Sequence, residues 1–320
     1  MTATKPEKSV FGQLRAIRSL ARDVSGAKPG TGARFSTSKS ARDILRDLQR
    51  RAAKIQSPHP EPVRTLHHLS CTGGTLISKC VASMANTLVL NEIDMLSEIP
   101  FARANNNFTP TDLVSLLYQS GITPDPDLVF ELFSKSIMSI RDHYQKQGQA
   151  VVLRDHAHSH FLYGPAPRAH RTMRDALDEA GIDCLTLLTV RNPVHSYHSM
   201  QRMGWHTHMQ PSSFEEYCQR YLTFLEAYQD APLIKYEEFA KSPRIVMKEI
   251  CEHLKLSYSK EFQDVFHSFK FSGDSGRKSS EISLRPTLEL PTDLVKEVRE
   301  SKSYLELAQR LDYSVIDSPH

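Results

Sequence analysis

The chain has 320 residues, 39% hydrophobic and 24% charged, a balance that suits a globular protein with one large domain or two modest ones. No stretch approaches the roughly 18 consecutive apolar residues of a membrane span, and residues 1–30 lack a signal peptide's apolar centre, so neither a spanning nor a Sec-exported protein is expected. The five cysteines, Cys71, Cys80, Cys184, Cys218 and Cys251, are scattered and odd in number, which argues against a disulfide framework or a zinc knuckle and for a reducing, cytoplasmic location.

The net charge of +3 is unevenly placed. Residues 1–58 carry 13 Lys/Arg against 4 Asp/Glu, and the rest of the chain carries 27 against 33. Within this basic leader, Leu14, Ile17, Leu20 and Val24 recur at helical spacing, as do Ile44, Leu45, Leu48, Ala52 and Ile55. A Gly/Ser-rich linker separates the two patterns, and Pro58, Pro60 and Pro62 end them. Such a leader is either a solvated arm or a contact for an anionic surface. The domain proper is expected over 59–320.

From Val63 the pattern becomes strand–helix alternation. Strands are predicted over 63–69, 87–93, 149–156, 184–190 and from 231, and helices over 77–85, 127–147, 171–181, from Pro193, 213–230 and 243–255. This order predicts a three-layer α/β sandwich around a central parallel sheet. Ligands of such sheets bind beyond the carboxyl ends of the strands. That directs attention to residues 70–75, Glu92, 154–160 and 191–199.

SCTGGTLISK follows the first strand and opens a helix, where backbone N–H groups can cradle a phosphate. Counted from Gly73, it misses the triphosphate loop G-x4-G-K-[ST]: Ser78 replaces the second glycine, and Cys80 the hydroxyl that would hold magnesium. RNPVHSYHS follows the most apolar strand. Arg191 offers a planar fork for a phosphate, Pro193 suits a first helical turn, and Ser196 and Ser199 lie three apart on one helix face.

Taken in this order, the two motifs resemble the sulfotransferases that use 3′-phosphoadenosine-5′-phosphosulfate (PAPS). Tyr236-Glu237-Glu238 and Arg277-Lys278 add matches to two further segments of that family, and the likeness spans about residues 63–280. The resemblance implies a P-loop-like nucleotide fold, with Thr72, Gly73, Gly74 and Thr75 at the 5′-phosphosulfate. It places Arg191, Ser199, Arg277 and Lys278 at the 3′-phosphate. Thr72 stands where many members carry Lys or Arg, and Ser279 where many carry glycine. The cation missing at Thr72 is expected from Arg154, or else from Lys79.

Two residues compete for the general base. Arg154-Asp155-His156 fits the slot of the cytosolic branch's Lys-x-His, and imidazole titrates in a suitable range. Glu92 fits the position of a catalytic glutamate in other branches. His156, His158 and His160 would also share one face of an extended strand, as in a metal site, but the H-x-H-x-D-H pattern is absent. The activity the resemblance implies is sulfuryl transfer from PAPS, without a metal, to an acceptor hydroxyl of a small molecule or glycan, a carbohydrate or glycolipid first among them, with Trp205 available to stack on a sugar. Neither nucleic acid nor a membrane span is expected as a partner. A P-loop nucleotide kinase and a non-catalytic module that binds anionic polymers remain the alternatives.

Overall fold

The computed structural model describes residues 60–96, 112–168, 171–272, 281–284 and 289–315. The basic leader and the segment holding Arg277, Lys278 and Ser279 lie outside the described residues.

Five strands form one parallel sheet: β1 (Val63–His68), β2 (Thr87–Ile93), β3 (Ala150–Asp155), β4 (Cys184–Val190) and β5 (Leu233–Lys235), in the order β2-β3-β1-β4-β5. β1 is buried at every residue, as a central strand covered on both faces requires. Alternate residues then serve different layers. Leu66, Val152 and Leu187 face α1 (Gly74–Ala82) and α9 (Pro243–His253), whereas Val63, Val151 and Leu153 face α3 (Pro126–Gln145) and α5 (Met173–Glu179). Leu188 and Val190 join a third cluster with α6 (Pro193–Met203) and α7 (Phe214–Ala227). α11 (Thr292–Glu300) and α12 (Lys302–Arg310) add Leu294, Val298, Tyr304 and Leu307 to that cluster.

Helix starts follow local chemistry. Asp125 accepts from Asp127 N ahead of Pro126, Thr172 and Asp175 form a capping box, and Ser213 accepts from Glu216 N. The fifth strand is shorter than the sequence suggests, because Tyr236, Phe239 and Ala240 bury one helical face and α8 (Tyr236–Lys241) begins at once. The third strand stops at Asp155, and the short α4 (Ala157–Phe161) begins after His156. His158 and His160 therefore lie on a helical turn, not along one strand face. α2 (Leu113–Gln119), capped by Asp112, was not foreseen from the sequence.

Connections leaving β1 and β4 run toward opposite edges of the sheet. Strand order thus reverses between β1 and β4, and ligands of such sheets bind at that point, beyond the carboxyl ends of the strands.

Candidate active site

The loop after β1 turns sharply into α1. Cys71 and Gly73 both take positive φ, 63° and 90°, and Gly73 precedes the helix with no side-chain cap. A Cβ on Gly73 would run into the ring of Tyr236, and one on Gly74 into the ring of His68. Glycine is thus required twice for close packing, and the first N–H groups of α1 face the carboxyl end of the sheet. Gly74→Ala is expected to destabilise the fold by about 1–3 kcal/mol through overpacking. Urea denaturation checks it, and a midpoint equal to that of the parent would refute it.

Thr72 does not line this loop in the expected way. Its side chain is fully buried and its hydroxyl donates to Leu69 O at 2.8 Å, so its hydroxyl closes the turn. Lys79 lies in the last turn of α1. The helix starts at Gly74, well ahead of the Ser78-Lys79 pair, so a lysine placed at the phosphates by a triphosphate loop is not reproduced. Cys80 is wholly buried in the core, which leaves no hydroxyl for magnesium there.

At the end of β4, Asn192 caps α6 by accepting from Val194 N and His195 N at 3.0 and 3.2 Å. Arg191 is thereby held at the helix entrance. Its Nη1 donates to Cys71 O at 3.0 Å and to Ser199 Oγ at 3.3 Å, and its guanidinium lies 5.0 Å from the Tyr236 ring centre. The two loops are therefore tied together across 120 residues. Glu237 accepts from Asn192 N (3.0 Å) and from Tyr313 Oη (2.7 Å), anchoring this corner. Arg191 Nε is buried and meets no acceptor among the described residues. Ser196 departs from the expected shared face: it is buried and bonds to Tyr217 Oη at 2.7 Å. Only Ser199 faces the arginine.

Between the loops, β3 delivers Arg154, 1% exposed. Its guanidinium donates to Thr75 Oγ1 (2.8 Å), Asn91 Oδ1 (2.6 Å), His68 Nε2 (2.9 Å) and Ser272 O (3.2 Å), and it pairs with Glu92. His68 can accept because burial and Arg154 push its pKa down to about 3, leaving the ring neutral with Nδ1–H on Leu69 O. Glu92 sits at φ 57°, where pairing between β2 and β3 shifts register after Leu90. A non-glycine residue in the left-handed region at a strand end marks a side chain held against local preference.

His156 closes the cluster. Nε2 lies 3.0 Å from Glu92 Oε2, and Nδ1 lies 3.9 Å from Asp94 Oδ2. Burial alone would lower its pKa, but Asp94 and Glu92 outweigh that and hold it up to about 9. Both ring nitrogens face carboxylates, a setting that favours the cationic ring over the neutral imidazole base expected from the sequence. Burial raises the Glu92 pKa, but His156 and Arg154 outweigh it and keep the group below its ordinary value. Glu92 is thus the residue of the pair that still has lone pairs for a proton.

A histidine whose folded pKa lies above its unfolded value stabilises fully below about pH 6.5 and loses that contribution as pH rises through about 9. The size is up to about 3 kcal/mol. Below about pH 6.5 the trend reverses, because neutral His68 must then compete with a protonated unfolded state. Stability is expected to fall from pH 6.5 to 9, and His156→Gln to flatten that slope. Chemical denaturation at both pH values tests this, and an unchanged slope in the variant would refute it.

The structure thus brings Gly73, Gly74, Thr75, Arg154, Glu92, His156, Arg191 and Ser199 to one end of the sheet, and Lys79 lies in the last turn of α1. Sequence reasoning missed Asp94, His68 and Asn91. Asp94 had a signal, since it follows Glu92 by two in NEID. Among the described residues, no His/Cys/Asp/Glu group has the geometry of a metal site, and no helix is long and apolar enough to cross a membrane.

No family model and no curated protein matches the chain. Among solved structures, the chain is similar to a sulfotransferase domain of the Synechococcus PCC 7002 olefin synthase, with 15% identity, 82% of this chain and 98% of that one covered, and a TM-score of 0.44. It is also similar to a sulfotransferase from Alicyclobacillus acidocaldarius, with 15% identity, coverage of 79% and 97%, and a TM-score of 0.40.

Proposed function

We propose that the protein transfers a sulfuryl group from PAPS to a hydroxyl of a small molecule or glycan. The observation that carries this reading is Arg191, which ties Ser199 to the first loop while its buried Nε lacks a partner. A guanidinium so placed suits a phosphate oxygen. In this reading Gly73, Gly74 and Thr75 hold the 5′-phosphate and Arg191 with Ser199 the 3′-phosphate, with Arg277 and Lys278 assigned there by sequence resemblance alone. PAPS supplies the transferable sulfuryl group.

The acceptor hydroxyl gives its proton to Glu92 as its oxygen bonds to sulfur. That oxygen grows strongly acidic as the new bond forms, so a carboxylate suffices as the base. The bond from sulfur to the bridging phosphate oxygen breaks, and adenosine-3′,5′-bisphosphate leaves with the electron pair. Arg154 stabilises the charge on the departing oxygen. His156 is a positioning residue, holding Glu92 by Nε2–H. A nucleotide kinase is less well served, since Lys79 and Cys80 do not sit where a triphosphate loop needs them.

Arg191→Ala is expected to weaken adenosine-3′,5′-bisphosphate binding by about 1.5–3 kcal/mol, roughly 10- to 150-fold. Isothermal titration without added metal measures it. A change under about threefold would remove the assignment.

A further inference from the structure

Asp94 lies close to the base, and the transfer step as described does not use it. Leu90 stands opposite Leu153 but Ile93 opposite Asp155, so β2 carries one extra residue at its end. Ile93 O then accepts from His156 N at 2.9 Å. The two neighbours of Ile93 thereby flank one imidazole. Glu92 Oε2 lies 3.0 Å from Nε2, and Asp94 Oδ2 lies 3.9 Å from Nδ1, within ion-pair range.

Asp94 is itself held from two further segments. Ser159 Oγ, in α4, lies 2.7 Å from Asp94 Oδ2 and 2.8 Å from His156 O. Arg168 Nη1 donates to Asp94 Oδ1 at 3.0 Å. Burial raises the Asp94 pKa, but His156, Arg168 and Ser159 outweigh it and keep the carboxylate ionised. The side chains of Asp94 and His156 are only 11% and 6% exposed, so little water is at hand to take the place of this carboxylate beside the ring.

The other groups around His156 cannot do the same work. His158, whose ring centre lies 3.7 Å away, is held neutral by burial and by the charges on His156 and Arg154. Burial also lowers the His160 pKa, and His68 is neutral. Asp155 is taken up by His67 Nδ1 at 2.7 Å and Tyr228 Oη at 3.2 Å. Arg154 is a like charge and sits on the other oxygen of Glu92. Arg154, Glu92, His156, Asp94 and Arg168 therefore form a row of alternating sign. An imidazole matched on one edge alone can turn or shed its proton, whereas one matched on both edges is fixed in orientation and charge.

We infer that Asp94 is a positioning residue for the transfer step: it stands behind His156 and keeps that ring turned, as an imidazolium, with Nε2–H on Glu92, so that Glu92 is held still for the acceptor proton. The inference rests on the sulfuryl-transfer reading with Glu92 as the base.

The test follows the His156 ring by nitrogen NMR of the full chain labelled at histidine, with the signal assigned by its loss in His156→Gln. In the parent the ring is expected to be charged at about pH 7 and to lose its proton near pH 9. Asp94→Asn keeps an oxygen for Arg168 and Ser159 but no charge, and the ring is expected to titrate lower by about one pH unit or more. The alkaline limb of the turnover profile should move down with it, and the substitution should add nothing in a His156→Gln background. Arg168→Gln is the second variant: it removes the cation behind Asp94, and the ring titration is expected to move up. A ring that is neutral in the parent at about pH 7 would overturn the inference. So would a titration within about 0.3 pH unit of the parent in Asp94→Asn, or in Arg168→Gln should Asp94→Asn not fold. An equal loss of turnover from Asp94→Asn with and without His156 would overturn it as well. A parent protein that transfers no sulfuryl group would instead strike the proposed function, and the ring titration, which needs no donor, would still decide the hold of Asp94 on His156.

Discussion

Glu92→Gln is expected to lower turnover by about 10²–10⁴-fold, the usual worth of a general base, with affinity for adenosine-3′,5′-bisphosphate near that of the parent. The amide keeps the shape of the side chain and can still accept from Arg154, but it cannot take a proton. His156→Gln is expected to act differently. It removes the cation that faces Glu92 at 3.0 Å, so the carboxylate pKa rises toward its ordinary value. Turnover should then fall by roughly 10-fold, within the range for a lost hydrogen bond to a charged group, and the acidic limb of the pH profile should move upward. Steady-state kinetics from pH 5 to 9 with a labelled donor separate the two. An active Glu92→Gln beside a His156→Gln that is dead at every pH would return the role of base to the imidazole.

Arg154→Lys carries the second large effect. The lysine keeps one positive charge but cannot serve Thr75, Asn91, His68, Ser272 and Glu92 together, as the buried guanidinium does. Loss of directed stabilisation of the leaving oxygen is expected to slow the chemical step by about 10²–10³-fold. The conservative change avoids stranding Glu92 without a cation, which Arg154→Ala would do at a cost of about 3–5 kcal/mol. Single-turnover rates measure the chemical step, and a thermal melt confirms the fold. A single-turnover rate within threefold of the parent would show that Arg154 is structural only.

Much of the fold was legible because its strands are short apolar runs between turn signals. The second and fourth strands fall on the residues expected, Thr87–Ile93 and Cys184–Val190. Helices expected from 127 and from Pro193 begin at Pro126 and Pro193, where Asp125 and Asn192 supply the caps. Sheet order was not legible, since apolar runs do not state their neighbours. At the site, the loop after β1 and the segment after β4 announced themselves by residue type. The protonation state of His156 did not, because it depends on Glu92 and Asp94, 64 and 62 positions away in the chain, brought close by parallel pairing of β2 with β3. Helical spacing alone put Ser196 and Ser199 on one face and only the resemblance preferred Ser199; the physical reason, that Tyr217 takes the Ser196 hydroxyl, lies in the packing.

The bond between Arg191 and Cys71 has a kinetic meaning. β1 pairs with β4 along its whole length, Val63 opposite Cys184 through His68 opposite Thr189, so the two loops of the proposed nucleotide site meet only when strands about 120 residues apart in the chain have closed onto each other. Such non-local contacts form late and slowly. On the proposed reading, no sub-fragment ending before β4 would hold the nucleotide, and a nucleotide bound there would lend its energy to the pairing that joins the centre of the sheet, about 2.7 kcal/mol at a hundredfold excess over Kd. The site is therefore a clasp on the whole domain: occupancy slows global opening, and a protease meets a shorter-lived target when the nucleotide is absent.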